Sequence, residues 1–72
     1  MDAAKKRENF KRLAEKRTQN ILDDLRVLTN LANTSNYEYD EEEVKKIFSA
    51  IESAVKAAKK EFSEELNSKF KL

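Results

Sequence analysis

The sequence predicts an all-α protein, an antiparallel two-helix hairpin that completes a helical bundle by self-association or with a partner. Three observations carry this. Two long segments repeat their apolar residues at helical rather than strand spacing. The 72 residues include no Gly and no Pro, so β-turns and bulges have no easy building blocks. Between the two segments, residues 33–40 carry the chemistry that ends one helix and starts another.

The first helix is expected near 3–33. Phe10, Leu13, Ala14, Ile21, Leu25, Leu28, Leu31 and Ala32 fall on one side at ~100° per residue. Leu22 and Val27 flank this stripe, which makes the second half of the helix apolar over more of its circumference than one partner helix covers. Arg17 lies within the stripe, with Asn20 and Asp24 along its edge. Two accounts stand open. Either the long Arg17 side chain reaches solvent or a carboxylate, or the three form a buried polar set that selects register or partner.

At the junction, Asn33 is the residue type after glycine best suited to the left-handed conformation that closes a helix. Asp40 followed by Glu43 is a capping-box pattern, and Tyr39 with Val44 has the spacing of a hydrophobic staple. Glu41, Glu42 and Glu43 suit the positive end of a helix dipole. Tyr37 is expected to cover the end of the hairpin, with a recognition knob as the alternative reading.

The second helix is expected near 41–66. Val44, Phe48, Ile51, Val55, Ala58, Phe62 and Leu66 alternate four-three spacings, close to a heptad seam, and Ile47 and Ala54 widen it. Ala50, Ala54 and Ala58 repeat every four residues, which reflects either close helix approach or simple helix propensity. Residues 1–66 thus form the hairpin, and residues 67–72 are expected to fray. Two ~45 Å rods in contact give a thin core. Below roughly 70–80 residues such a core is marginal without a staple. Association is therefore the expected condition, with the faces around Leu22, Val27, Leu31, Ile47 and Ile51 docking protein.

Composition excludes much chemistry. With no Cys and no His there is no disulfide, no thiolate or imidazole metal site, and no thiol or imidazole for catalysis. The acidic run 40–43 lacks the spaced ligands and Gly of a calcium loop. Two helices make no cleft, so neither a small-molecule ligand, a cofactor, a metal nor enzymatic activity is expected. No apolar run approaches the roughly 18 residues of a membrane span, and no signal-peptide core is evident, so the expected location is cytoplasmic.

Charged residues make up 40 % of the chain, and the net charge is +1. Their distribution is uneven. Residues 1–35 carry eight basic and five acidic groups, and residues 36–72 seven and nine. Lys5, Arg7, Lys11, Arg12 and Lys16 are the candidates for phosphate contact, within a cluster that also includes Lys6 and Arg17, and Lys5, Arg12 and Lys16 share the face opposite the apolar stripe. Glu8 and Glu15 dilute that cluster, and no aromatic ring on its face offers a stacking platform.

The segments Glu8-Asn9-Phe10-Lys11-Arg12-Leu13-Ala14-Glu15, Asn30-Leu31-Ala32-Asn33, Ser35-Asn36-Tyr37-Glu38-Tyr39 and Ile47-Phe48-Ser49-Ala50-Ile51 carry a resemblance over roughly residues 8–62. The chain resembles short helical proteins of bacterial mobile genetic elements. In particular it is similar to the small accessory proteins that accompany a family-A DNA polymerase on staphylococcal chromosome cassettes. The resemblance implies a non-catalytic accessory subunit that docks a DNA-processing enzyme and assists template engagement or initiation in DNA replication. The residues by themselves leave two alternatives open: a stand-alone nucleic-acid-binding protein using the basic N-terminal helix, or a purely structural helical homo-oligomer.

Overall fold

The computed structural model describes residues 2–68. Among them are two long α-helices, one short 3₁₀ turn and no strand. The first helix, α1, spans Ala3–Thr29, the 3₁₀ turn spans Asn30–Ala32, and the second helix, α2, spans Glu41–Ser68. The chain divides into two units, the first ending at Glu38 and the second beginning at Tyr39.

In the first unit, α1 begins on a cap that the apolar pattern does not reveal. The Asp2 backbone is extended, its carboxylate accepts the Lys5 N–H at 2.8 Å, and its carbonyl accepts the Lys6 N–H at 3.1 Å. Asp at this position satisfies an otherwise orphaned amide and places negative charge on the positive end of the helix dipole. Near the other end of α1, Asp23 accepts from the Gln19 amide at 2.9 Å and the Arg26 guanidinium at 2.8 Å. These pairs are exposed and are worth tenths of a kcal/mol.

The end of α1 corrects one expectation. No non-glycine residue among those described has a positive φ, and Asn33 sits at φ −67°, ψ 103°, which is extended backbone. The helix instead tightens into the 3₁₀ turn, as the Asn30 N–H donates to the Val27 carbonyl. Asn33 then organises the chain through its oxygens. Its side-chain Oδ1 accepts the Ser35 N–H at 3.0 Å, and its carbonyl accepts the N–H groups of Asn36 at 3.2 Å and Tyr37 at 3.0 Å. This is an Asx-type turn, in which a short polar side chain replaces a backbone acceptor. A left-handed residue is therefore unnecessary.

In the second unit, the capping box forms in full. The Glu43 N–H donates to the Asp40 carboxylate at 2.8 Å, and the Asp40 N–H donates to the Glu43 carboxylate at 3.0 Å. The Val44 N–H closes the first turn on the Asp40 carbonyl at 3.2 Å. Three glutamates in that turn complement the dipole. From there α2 runs without interruption to Ser68, two residues past the expected end, and the Ser68 hydroxyl donates to the Glu65 carbonyl at 2.8 Å. The rest of the expected frayed tail, 69–72, lies outside the described residues.

Neither helix fully buries a side chain. Along α1, Leu13, Ala14, Leu25 and Leu28 are half-buried by neighbours one turn away, while Phe10, Ile21 and Leu31 stay exposed. Along α2, Val44 and Ile51 are half-buried, and Ile47, Phe48, Val55, Phe62 and Leu66 are exposed. No described helix is long and apolar enough to cross a membrane.

Two substitutions test the junction. Asp40→Ala removes one half of the capping box and is expected to cost about 1 kcal/mol of helix stability in urea melts followed by circular dichroism. Asn33→Gly, which would stabilise a left-handed terminator, is expected to destabilise here by roughly 0.5–1 kcal/mol, because it adds backbone freedom and deletes the Asx oxygen.

Candidate nucleic-acid and partner-docking surfaces

The basic candidates all lie in the first half of α1, and an uninterrupted helix fixes their directions. At ~100° per residue, Lys5, Arg12 and Lys16 fall within ~40° of one another on the face opposite the apolar stripe. Lys11 stands roughly 120° from them and Arg7 roughly 160°. The five expected phosphate contacts therefore do not share one face. Three do, and Arg7 stands on the stripe side with Lys6 and Arg17. The shared face of Lys5, Arg12 and Lys16 is the one the helical period predicts, and α1 runs without a break through all five positions.

Glu8 and Glu15 lie on the same side as the three convergent cations. Together with Asn9, Lys11, Arg12 and Lys16 they line a shallow open depression. One helix surface cannot enclose a cavity, so these charges stay in water, where a single contact has little leverage. Among the described residues the cluster's cations make no ion pair, and Arg12 reaches the Asn9 side-chain oxygen at 3.5 Å. The local field is weakly positive and accessible. It can add diffuse, screened attraction to a polyanion but cannot read bases.

The docking candidates also divide. Leu22 and Val27 are 53 % and 63 % exposed and point ~140° apart on α1, one on each flank of the stripe. Leu31 lies in the 3₁₀ turn and is 47 % exposed. On α2, Ile47 and Ile51 lie ~40° apart on the same stripe. Ile51 is half-buried and Ile47 exposed. The flanks of α1 thus offer two separate apolar surfaces rather than a single patch, and α2 offers one continuous stripe. Tyr37 and Tyr39 are exposed on either side of the division between the units.

Among the described residues no three acidic side chains gather to hold a metal ion. The chain matches no protein-family model, and no characterised protein or solved structure matches it.

The angular division makes a prediction for phosphate binding. With single-stranded oligonucleotide, each lost phosphate contact lowers the slope of log K against log salt by about 0.7. Arg12→Gln is expected to produce that reduction, and Arg7→Gln to leave the slope unchanged, in fluorescence anisotropy titrations across a salt series.

Proposed function

We propose that this chain is a non-catalytic interaction protein, an accessory subunit whose helices pack as an antiparallel hairpin within a larger bundle and dock a DNA-processing enzyme. One observation supports this reading above the others: two long helices each carry an apolar stripe, and neither buries a side chain by itself. Apolar area exposed on one helix is stabilising only when another surface covers it, at about 25 cal/mol per Å². Side chains such as Phe10, Ile21, Phe48 and Phe62 are large enough for several kcal/mol in total. The local caps and exposed ion pairs are worth far less.

The identity of the enzyme as a mobile-element DNA polymerase rests on the resemblance of residues 8–62. In this reading the flanks around Leu22 and Val27, with Leu31, Ile47 and Ile51, meet protein. Lys5, Arg12 and Lys16 lie near template phosphates and add salt-sensitive affinity. The accessible cations favour one second reading, a stand-alone nucleic-acid-binding protein, although the two glutamates on their face weaken it. The cytoplasm is the location that suits either role.

Two experiments test the proposal. Leu28→Ala is expected to cost about 2–5 kcal/mol in urea melts, the range for a leucine enclosed by packing. A value within ~0.5 kcal/mol would mean that the side chain stays at the surface of a lone helix. Co-purification from the native host, with the captured proteins identified, is expected to recover a DNA polymerase or another DNA-processing enzyme. Leu22→Asp, on the flank of the stripe where Leu22 is exposed, is expected to abolish that recovery while circular dichroism stays unchanged. Combined charge reversal of Lys5, Arg12 and Lys16 is expected to remove nucleic acid and leave the enzyme. Loss of both on charge reversal alone would favour the stand-alone binder.

A further inference from the structure

The polar residues within the α1 stripe have a symmetry that the accessory role does not explain. Arg17 and Asp24 are seven residues apart, so both lie on the stripe side within ~20° of each other. They are separated by ~10 Å along the axis and cannot meet within one helix. Neither makes an ion pair among the described residues. Phe10 lies seven residues before Arg17, and Leu31 seven after Asp24. The stripe is therefore apolar, cationic, anionic and apolar at equal steps.

We propose that α1 pairs antiparallel with α1 of a second copy of this chain, so that Arg17 of each copy faces Asp24 of the partner subunit. In this register Leu13 stands level with Leu28 of the partner subunit, and Phe10 lies toward the 3₁₀ turn that carries Leu31 of the partner subunit. Apolar residues meet apolar residues, and the two stripe charges meet their opposites twice. The two-fold axis passes beside Asn20 and Ile21. Sliding by one turn places Arg17 level with Leu28 or Ile21 of the partner subunit, leaving cation and carboxylate against apolar surface. A parallel pair stacks Arg17 on Arg17 of the partner subunit and Asp24 on Asp24 of the partner subunit. Both alternatives desolvate a charge without an opposite, which is strongly unfavourable.

The remaining charges favour the same orientation. Residues 2–17 hold seven basic and three acidic side chains, a net +4. Residues 52–68 hold three and four, a net −1, and residues 18–51 hold three and seven, a net −4. A hairpin is then about +3 at its open end and −4 at its junction end. Two such hairpins with junctions at opposite ends set plus beside minus at both. With junctions together, they set like beside like. This assignment rests on the bundle reading and specifies its second half: the cover on α1 is this chain itself.

Because the chain contains no Cys, one substitution introduces one label. In full-length protein, spin labels at Glu8→Cys are expected to lie roughly 40 Å apart by pulsed dipolar spectroscopy, ~25 residues of axial rise at about 1.5 Å each. Arg17→Asp and Asp24→Arg are each expected to weaken the dimer roughly tenfold or more, and the double variant to restore it. Labels much closer, near 20 Å, would overturn the antiparallel pairing while leaving a bundle. A double variant as weak as the single ones would overturn the Arg17–Asp24 register. A folded monomer would overturn both the pairing and the bundle reading.

Discussion

A helix cannot bury its own apolar stripe. That constraint governs this chain, because both long elements are strongly one-sided and neither encloses a side chain by itself. Most helical stability in proteins comes from covering one apolar face rather than from the propensity of the residues. Here the local terms are well made. Asp2 caps α1, and Asp40 and Glu43 cap α2 reciprocally. Such terms decide where helices begin, at about 1 kcal/mol each, while covering the stripes decides whether the fold is populated.

Specificity follows from the same surface. A stripe of leucine and phenylalanine alone would accept many registers, since burial is non-directional. In the proposed pairing, Arg17, Asn20 and Asp24 interrupt it at positions where a wrong register carries a desolvation penalty. Polar groups in a seam weaken association relative to an all-apolar one, and their best-attested use is to fix partner and register. The outer face of α1, with Lys5, Arg12 and Lys16 against Glu8 and Glu15, takes no part in the proposed seam.

What the sequence revealed followed from how local the physics is. The capping box was legible because its two bonds join residues three apart, and both formed. Helix existence was legible from periodicity over more than twenty residues. The end of α1 was less so. Asn33 was expected to terminate the helix through a left-handed backbone, yet it does so through three accepted hydrogen bonds, because Asn has two routes to the same end. The cap at Asp2 went unread because no glutamate follows three residues later to complete a box. The candidate sites were only partly legible. The helical period gives the direction of each side chain on its own helix, which puts Leu22 and Val27 on opposite flanks and Lys5, Arg12 and Lys16 on one face, but what covers those faces depends on contacts beyond one helix.

The central claim is that folding and association of this chain are one process. Thermal unfolding followed by circular dichroism at 222 nm, over a hundredfold range of protein concentration, tests it most directly. When a bundle forms from two chains, mass action makes the midpoint depend on concentration, and the account predicts a steady rise in Tm across the series. A cooperative transition with the same midpoint at every concentration would contradict it.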